Sequence, residues 1–421
     1  MENILRIIKK FIPRNIFSFF QPAYHYSLAL IAALVYRFPS RKIKVVAITG
    51  TKGKTSTAEI VNAILEEAGY RTALVGTLRF KVGDDEERNL YKMTIPGRFF
   101  MQHFLRRSVT AKCDWVVMEM TSEGARQFRH KFIDFDALIF TNLSPEHIES
   151  HGSFENYKDA KLSIARALAK SVKRPRIIVA NSDDKYANEF LAVDADTKTT
   201  YSLKDAKPYT LEKDSTTFSF MGAPLVSHLS GAFNLSNMLA GISFARTIGI
   251  APEVIKRSIE KFDGIRGRVE RINAGQDFDV IVDYAHTTDS LEKVYEVFQG
   301  SRKICVLGGT GGGRDSWKRP AMGAVANAHC DEIILTNEDP YDEDPEKIVS
   351  EILAGIEGGQ AQIIMDRRGA IAKALSLAET GDAVLITGKG TDPYIMVANG
   401  KKTPWDDATV AREELARLGF N

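Results

Sequence analysis

The chain has 421 residues, of which 44% are hydrophobic and 26% are charged. These are the proportions of a globular protein, so they exclude extensive disorder and a fibrous protein, and the length predicts two or three domains. The 56 basic and 54 acidic side chains give a formal charge of +2, so no overall field attracts nucleic acid and any anion site must be local.

The three cysteines, Cys113, Cys305 and Cys330, are odd in number and widely spaced, and they include no C-x-x-C pair. This pattern argues against a disulfide framework and against a zinc ribbon. A reducing compartment, the cytoplasm, is therefore expected.

An apolar stretch at residues 16–38 follows the basic segment RIIKKFIPR. Its uninterrupted apolar part, Leu28 to Tyr36, is too short to cross a bilayer, and Pro22 and His25 interrupt the run. No small-residue cleavage site follows it. A packed helix is the favoured interpretation. A peripheral membrane contact through the basic amphipathic segment Ile4 to Phe20 is the alternative, and a span is not expected.

From Lys44 onward, apolar strands alternate with helical patterns, which predicts parallel strands covered by helices. The strands of the first series are VVAITG, RTALVG, DWVVMEM, DALIFTNL and RIIVANSD. A second series begins after GIRGRVERI with FDVIVDYA, KICVLGG, DEIILTNED, AQIIMD and AVLITGKG. Between the two series, YTLEKDSTTFSFMGAPLVSHLSG favours strands and turns, and NLSNMLAGISFARTIG favours a helix. We therefore expect an α/β protein with a short helical segment (residues 1–42), a central domain (43–266) and a Rossmann-like α/β domain (267–421).

The first strand leads into the glycine turn GTKGKT and then into a helix. Gly50 and Gly53 let backbone amides point at phosphate oxygens, and the helix N-terminus adds positive potential. Lys54 would neutralise terminal phosphates, and the Thr55 hydroxyl would bind magnesium. Ile48 replaces the leading glycine of G-x-x-x-x-G-K-T, so a turn without function is the alternative, but the order strand, loop, helix favours a P-loop ATPase-like central domain. The candidate nucleotide contacts are Gly50, Thr51, Lys52, Gly53, Lys54, Thr55 and Ser56.

Glu119 lies at the end of the apolar strand DWVVMEM, at the sheet edge where ligands gather. A buried carboxylate is unfavourable unless it is paired or bound to a metal, so Glu119 is a candidate magnesium ligand, with a structural ion pair as the alternative. Arg129 follows in the block MEMTSEGARQFR, either as a substrate contact or as a solvated surface residue.

The strand DALIF leads into TNLSPEHIESHGSFENYKDAK, which places His147 just beyond the strand end. Other ionisable side chains close to it in sequence are Glu146, Glu149 and His151. A single histidine is usually an ordinary polar residue. Here, however, the strand DALIF ends in an acidic segment that faces the same loop as Glu119, and this favours a metal-binding role for His147. Lys161, one helix further, has the pattern of a surface lysine.

Ten blocks follow one another in a recognisable order: GTKGKT, MEMTSEGARQFR, TNLSPEHIESHGSFENYKDAK, SGAFNLSNMLA, GIRGRVERI, VDYAHTTDSL, GGTGGGRDSWKRPAM, TNEDPYDEDP, ITGKG and PWDDATVARE. Over roughly residues 43–421 the chain resembles the Mur ligases, and most of all the MurE branch, the UDP-N-acetylmuramoyl-tripeptide synthetases. The resemblance implies that ATP phosphorylates a carboxylate, that an amine attacks the acyl phosphate, and that ADP and phosphate are released.

The resemblance also implies roles for individual residues. Lys54 and Thr55 match phosphate and magnesium contacts. Glu119 and His147 match the ligands of a second magnesium ion between ATP and the acceptor carboxylate. Lys161 matches a lysine that the family carbamylates into a metal ligand, which reverses its surface interpretation. Further matches are Asn234 and Asn237 on the adenine side, Arg268 as a phosphate-binding arginine, and Asp283 with His286 on the ribose and phosphate side. The expected catalytic set is Lys54, Glu119, His147, Lys161 and Arg268.

The chain departs from the family pattern in four places. Only about 43 residues precede the loop, too few for the family's UDP-binding domain, so UDP recognition is in doubt or comes from other surfaces or a partner subunit. EDPY puts Tyr341 where diaminopimelate enzymes have the arginine of D-N-P-R, and GKGTDPY replaces G-K-G-H-E, so diaminopimelate is not the first choice of amine. Thr121, Ser122 and Glu123 replace S-S-H. The candidate substrate contacts are Thr121, Ser122, Arg129, Asp339, Tyr341 and Asp392.

Together these features predict an ADP-forming amide ligase that uses ATP and two magnesium ions to add an amino acid to a peptidyl acceptor in peptidoglycan precursor synthesis. Folate polyglutamylation or poly-amino-acid synthesis is the alternative within the class, although the DYAHT and HGSFENY blocks favour the MurE branch. A non-catalytic nucleotide-binding subunit of a cell-wall complex is the alternative from another class. The expected partners are small-molecule or peptidyl substrates, not nucleic acid.

Overall fold

The computed structural model describes residues 14–91, 93–146, 148–313, 316–359 and 361–420. The chain divides into two compact units that alternate along the sequence. The first unit contains residues up to 144, 154–202 and 240–255, and the second contains residues 145–153, 203–239 and those from 256 onward. The domain limits drawn from the sequence, after residues 42 and 266, stay predictions.

The helices in chain order are α1 (Arg14–Val35), α2 (Lys54–Glu67), α3 (Arg98–Thr110), α4 (Ser122–Arg126), α5 (Ile148–His151), α6 (Phe154–Ala169), α7 (Ala187–Leu191), α8 (Ala232–Thr247), α9 (Pro252–Glu260), α10 (Thr288–Val297), α11 (Arg319–His329), α12 (Pro345–Leu353), α13 (Arg367–Ser376) and α14 (Asp407–Arg417). Short 3-10 turns are formed by Pro39–Lys42, Leu203–Ala206, Ser316–Lys318, Glu357–Gly359 and Ala398–Gly400.

The strands are β1 (Lys44–Thr49), β2 (Thr72–Val75), β3 (Arg79–Val82), β4 (Asp85–Arg88), β5 (Trp115–Met120), β6 (Ala137–Phe140), β7 (Ile177–Asn181), β8 (Thr197–Tyr201), β9 (Tyr209–Leu211), β10 (Thr216–Phe220), β11 (Ala223–Ser227), β12 (Glu270–Arg271), β13 (Asp279–Asp283), β14 (Lys303–Leu307), β15 (Glu332–Leu335), β16 (Ala361–Ile363), β17 (Ala383–Thr387), β18 (Tyr394–Met396) and β19 (Lys402–Pro404).

An eight-stranded sheet in the order β4-β3-β2-β5-β1-β6-β7-β8 forms the centre of the first unit. Six of its strands run parallel: β2, β5, β1, β6, β7 and β8. All of them except the edge strand β8 consist of buried apolar runs, as is typical of parallel sheets. The register aligns Ile48 on β1 with Glu119 on β5, and Thr49 with Phe140 on β6. The ends of β5 and β6 therefore flank the turn that follows β1.

Helix α1 packs on α3 in the first unit. Ala29, Ala32 and Ala33 are buried, and the Arg106 side chain donates to the carbonyl of Tyr36, which follows the helix end. The predicted packed helix is therefore present. Among the described residues, none of the helices combines the length and apolar content that a membrane span requires. Most of the basic segment from Ile4 lies outside those residues, so the peripheral membrane contact stays a prediction.

A six-stranded sheet in the order β12-β13-β17-β14-β15-β16 organises the second unit. Its strands are parallel except for β12 at the edge. Alternate residues of β14 face opposite layers: Cys305 and Leu307 pack with α10, α11 and α12, whereas Ile304 and Val306 pack with α13 and α14. Helices thus cover both faces, which confirms the Rossmann-like α/β fold. The segment predicted to favour strands forms an antiparallel sheet of β9, β10 and β11.

One cysteine expectation was wrong. Cys305 and Cys330 are joined by a disulfide, with their Cα atoms 6.1 Å apart, whereas Cys113 is buried and free. The 25 residues that separate the pair in sequence hid their proximity. Cys305 aligns with Ile333 on the neighbouring strand β15, and Cys330 lies two residues before that strand begins.

Candidate functional site

The turn between β1 and α2 needs glycine at two positions. Gly50 has φ +155°, and a Cβ built on it would lie 1.9 Å from Oγ1 of Thr141, which follows β6. Gly53, with φ +80°, directly precedes α2. Any side chain at Gly50 would push the turn away from β6, so the close approach of these two segments depends on glycine.

Hydrogen bonds fasten this loop to its neighbours. The Lys52 amide donates to Asn142 Oδ1 (2.9 Å), and Thr141 Oγ1 donates to the Lys52 carbonyl (2.7 Å). The Thr51 hydroxyl lies 2.9 Å from the Tyr157 hydroxyl on α6. Thr51 and Ser56 are buried. The loop is therefore held in shape by the protein itself, as a preformed cradle requires.

Lys54 folds back over the loop. Its Nζ donates to the carbonyls of Gly50 (3.0 Å) and Thr51 (2.9 Å). A cation is thus placed on the turn at the N-terminus of α2, where the helix dipole already favours an anion.

Glu119 is only 1% exposed, and hydroxyl and amide groups hold it. Oε2 accepts from Thr55 Oγ1 (3.0 Å) and from Thr77 Oγ1 (3.0 Å), and Oε1 accepts from the Thr77 amide (2.7 Å). Among the described residues no basic side chain pairs with Glu119, which disfavours the structural ion pair. A hydroxyl and a carboxylate side by side at a phosphate loop are the oxygen donors that magnesium takes, together with phosphate oxygens and water, so Thr55 and Glu119 fit one ion.

Lys161 is buried, not on the surface as its helix pattern suggests. It is 1% exposed, and its Nζ donates to the Gly50 carbonyl (2.6 Å) and lies 4.8 Å from the centre of the Tyr157 ring. The fold thus brings Lys54, Thr55, Glu119 and Lys161 together around the turn at Gly50.

His147 lies outside the described residues. Its neighbours Glu146 and His151 are both 7% exposed, and Glu146 Oε1 lies 3.7 Å from Nε2 of His286. Within the described ranges, no cluster of three or more histidine, cysteine or acidic side chains could hold a metal ion. A second metal site therefore stays a prediction.

The residues after β5 have local structural contacts. Thr121 Oγ1 accepts from the Gly124 amide (3.0 Å) and caps α4, while Ser122 is buried. Arg129 is not a solvated residue: Nη2 donates to Gln127 Oε1 (2.7 Å), Nη1 donates to the Ile95 carbonyl, and Nε is buried without a partner among the described residues.

A cleft of about 760 Å³ in the second unit is lined by Asn234 and Arg268, a size that suits a small organic ligand. Asn234 Nδ2 donates to the Ser230 carbonyl (2.9 Å), and Asn237 Nδ2 donates to Asn234 Oδ1 (3.4 Å). The Arg268 guanidinium lies 4.5 Å from the centre of the Tyr284 ring, which holds its flat group at the cleft.

Asp283 and His286 lie beside Arg268 in the same unit. Asp283 accepts from the amides of Val269 (2.7 Å) and Ala285 (2.6 Å), so it fixes the backbone next to Arg268. His286 Nδ1 lies 2.7 Å from the Tyr284 carbonyl, which can only accept, so Nδ1 carries the proton of this contact.

Sequence reasoning missed Lys389, which joins two of the predicted substrate contacts. Its buried Nζ donates to Asp339 Oδ1 (2.9 Å), Asp392 Oδ2 (3.1 Å) and the Tyr394 carbonyl (2.7 Å). A lysine two residues after the end of the apolar strand β17 was the available signal. The Asp392 charge, followed by burial, raises the pKa of Tyr284. Tyr341 has φ +53°, and its ring lies beside Gly312.

Comparison with known families gives two matches. The model of the Mur ligase middle domain matches residues 48–245, and the model described as Mur ligase, glutamate ligase domain matches residues 267–390.

Individual proteins give the same result. Over 403 residues the chain is 38% identical to the UDP-N-acetylmuramoyl-L-alanyl-D-glutamate–2,6-diaminopimelate ligase of Syntrophomonas wolfei, and the match covers 92% of this chain and 81% of that protein. A solved structure of a ligase of the same description has a TM-score of 0.61 and 27% identity and covers 90% of this chain and 79% of that one. Mycobacterium tuberculosis folylpolyglutamate synthase, complexed with ADP and AMPPCP, has a TM-score of 0.68 and covers 93% and 95%, but at 16% identity it shows the fold alone.

Proposed function

We propose that this chain, which belongs to the Mur ligase family, is an ATP-dependent, ADP-forming amide ligase of the MurE type. It adds an amino acid to a carboxylate of a peptidyl acceptor in peptidoglycan precursor synthesis. The observation that carries the chemistry is the grouping of Lys54, Thr55, Glu119 and Lys161 around the turn at Gly50. The similarity to the Syntrophomonas wolfei ligase over 92% of this chain supports the substrate class.

The reaction must bring two anions together, the triphosphate tail and the acceptor carboxylate. A magnesium ion held by Thr55 and Glu119 would neutralise part of that charge and polarise the phosphoryl group that moves. Lys54 contributes a fixed positive charge on the loop, and the amides after Gly50 contribute dipoles that need no reorganisation. The loop therefore lowers the repulsion between the two anions before any bond changes.

Bond changes then occur on the substrates. The acceptor carboxylate attacks the terminal phosphorus and ADP leaves. The amine, which must arrive unprotonated, attacks the acyl carbon, and phosphate leaves with the bonding electrons. A mixed anhydride is quickly lost to water, so exclusion of water from the site matters. Asn234, Asn237, Arg268, Asp283 and His286 stay the proposed nucleotide contacts. The cleft that Asn234 and Arg268 share supports two of them.

We also propose that Lys161 is carbamylated. Its Nζ lies 2.6 Å from the Gly50 carbonyl oxygen, to which Lys54 Nζ also donates at 3.0 Å. Two ammonium groups on one oxygen repel each other. If the neutral amine of Lys161 adds to carbon dioxide and loses one proton, the new carbamate attracts Lys54 and offers oxygen to a metal. With Glu119 and His147 it would complete a second magnesium site.

The amino acid is proposed to lack a distal carboxylate. The ligase of Syntrophomonas wolfei is named for diaminopimelate, but this chain has Tyr341 in place of the arginine expected for that group. The buried cation Lys389 already pairs with Asp339 and Asp392, so its charge is offset. We further propose that the enzyme works in the cytoplasm on small-molecule substrates. A partner subunit that supplies UDP recognition stays a prediction.

A direct test incubates the protein with ATP, magnesium, pooled amino acids and one of three acceptors: UDP-N-acetylmuramoyl-L-alanyl-D-glutamate, a folate or a glutamate oligomer. We expect a product one residue heavier, detected by mass spectrometry, with the first acceptor only, and ADP release that requires both acceptor and amine. A product with the folate or the oligomer instead would move the enzyme to the other branches. Nucleotide binding without ADP release under any condition would favour the non-catalytic subunit.

A further inference from the structure

Three basic side chains of the first unit lie close enough for their charges to interact: His25 on α1, Arg98 at the start of α3 and Arg129 after α4. The ring of Tyr26 on α1 contacts Phe132 edge-on, with centroids 5.1 Å apart, so α1 is held against the segment that carries Arg129. Since α1 also packs on α3, all three elements share one boundary.

Five nitrogen atoms in this cluster lack acceptors. Nε and Nη2 of Arg98, Nε of Arg129 and both ring nitrogens of His25 are buried without a hydrogen-bond partner in the part of the chain that the structure describes. On Arg98 the two free groups lie on one edge of the guanidinium, the edge that matches two oxygens of a carboxylate or phosphate. Buried donors without acceptors are unfavourable, so the cluster lacks an acceptor of that shape.

The cluster also has positive charges that no carboxylate among the described residues balances. Burial, followed by the charges of Arg98 and Arg129, lowers the pKa of His25 to about 4, while the charge of Glu123 opposes them. Burial and then the charge of Arg129 lower the pKa of Arg98, which only Tyr24 opposes. Glu123 accepts from Gln127 (2.7 Å) and is exposed to solvent. Among the described residues, no carboxylate pairs with Arg98 or Arg129.

We propose that His25, Arg98 and Arg129 form a binding site for an oxyanion group, a carboxylate or phosphate. Its assignment to an acidic group of the acceptor substrate rests on the proposed function. A chain of contacts supports that assignment: Arg129 donates to the Ile95 carbonyl, and the hydroxyl of the adjacent Thr94 lies 2.9 Å from that of Thr77, which donates to Glu119. His25 precedes residue 48, where the match to the Mur ligase middle domain begins. Helix α1 thus gives this chain an acceptor contact of its own.

Nuclear magnetic resonance of histidine-labelled full-length protein tests the site without ATP. The His25 signal, assigned with His25→Gln, is titrated from about pH 7.5 to about pH 4 with no probe, with inorganic phosphate and with glutarate. We expect a bound oxyanion to raise the pKa of His25 by about one unit or more. His130 is the internal control: burial and the charge of Lys131 lower its pKa to about 3, so it stays uncharged over this pH range and its signal should not titrate.

Two variants decide the outcome. Arg98→Met keeps the apolar stem and removes the open edge, so the response should vanish, whereas Arg107→Met, an exposed residue of the same helix, should keep it. The probe that binds more tightly identifies the group as phosphate or carboxylate. No response of His25 to either probe, or an equal response in Arg98→Met, overturns the site.

The acceptor assignment has its own measurement. His25→Leu should raise the KM for the acceptor on the order of tenfold, with kcat little changed, because leucine has no donor and the hydrogen bond to a charged group is lost. An unchanged KM in a protein whose His25 responds to the probes overturns the acceptor assignment and leaves the oxyanion site standing. Absence of ligase activity in the parent protein would instead refute the proposed function. The oxyanion site would still be tested, because the probe experiment requires no turnover.

Discussion

Replacing Glu119 with glutamine removes one charge from the candidate site and almost no volume. The carboxylate accepts three hydrogen bonds, from the Thr55 hydroxyl, the Thr77 hydroxyl and the Thr77 amide. A glutamine oxygen can keep the bond from the amide, and its NH₂ group can donate to the two hydroxyls, which both accept as well as donate. The local network therefore survives with its directions reversed, and what is lost is the negative charge beside Thr55.

The expected sizes follow from this geometry. The substitution replaces hydrogen bonds to a charged group with weaker neutral ones, which destabilises the fold. It also removes the free-energy cost of burying a charged carboxylate that is 1% exposed. Because the two effects oppose each other, the free energy of unfolding should change by no more than about 1–2 kcal/mol. That corresponds to a shift in Tm of roughly 5 °C or less. Loss of a preorganised charge at the phosphoryl group should instead raise the activation barrier by about 3–4 kcal/mol, a fall in kcat on the order of 10²–10³-fold.

Glu59→Gln is the matched control. Glu59 is also a buried carboxylate of the first unit, on α2, but it pairs with Arg79, with Oε2 2.6 Å from Nη2. The substitution removes the charge of one of the two carboxylates that pair with Arg79, while Glu86 keeps its contact with Nη1 (2.5 Å), so it should lower the free energy of unfolding by about 1–2 kcal/mol and leave kcat unchanged. Thermal melts and coupled ADP release measured on both variants separate the two effects. If the kcat of folded Glu119→Gln lies within about threefold of that of the parent, the magnesium role of Glu119 is refuted.

Three further predictions concern Lys161, Glu338 and Tyr341. Lys161→Ala should abolish ADP release and regain part of it with added short-chain carboxylic acids, whereas Lys158→Ala on the same helix should have full activity; full activity of Lys161→Ala would exclude the carbamate. Burial raises the pKa of Glu338 above its ordinary value of 4.5, so the native state keeps a proton that the unfolded chain releases, and stability falls as the pH rises from about 4.5 to the folded pKa. Glu338→Gln should remove that fall, and an unfolding free-energy difference from the parent that does not vary with pH would contradict it. Tyr341→Arg should raise kcat/KM for diaminopimelate relative to neutral amino acids, because a guanidinium pairs with the distal carboxylate; no change in that ratio would remove Tyr341 from the amine site.

Apolar runs and turn residues were enough to predict the parallel sheets, because strands buried on both faces have a continuous apolar pattern. The antiparallel hairpin of β3 and β4 was not predicted. Its outer strand has the sequence DEER and is largely exposed, so it lacks an apolar signal and depends on pairing with β3.

The residue pattern alone placed Lys161 on the surface, and only the family resemblance reversed this. The helical periodicity of α6 could also have indicated a buried position. Lys161 follows Tyr157 by four residues and precedes Ala165 by four, and all three are buried on one face of α6. Long-range contacts had no such signal. Nothing local indicates that Cys305 meets Cys330, or that His25 faces two arginines more than 70 residues away in sequence. Those pairs depend on strand order and helix packing, which short patterns do not determine.

The fate of one oxygen atom tests the central claim most directly. If ATP activates the acceptor as an acyl phosphate, an acceptor whose carboxylate carries oxygen-18 must transfer one labelled oxygen to the released phosphate during amide formation. We predict phosphate with a single labelled oxygen per amide formed, measured by mass spectrometry. Unlabelled phosphate accompanying amide product would contradict the account, because the carboxylate would then never have been joined to phosphorus.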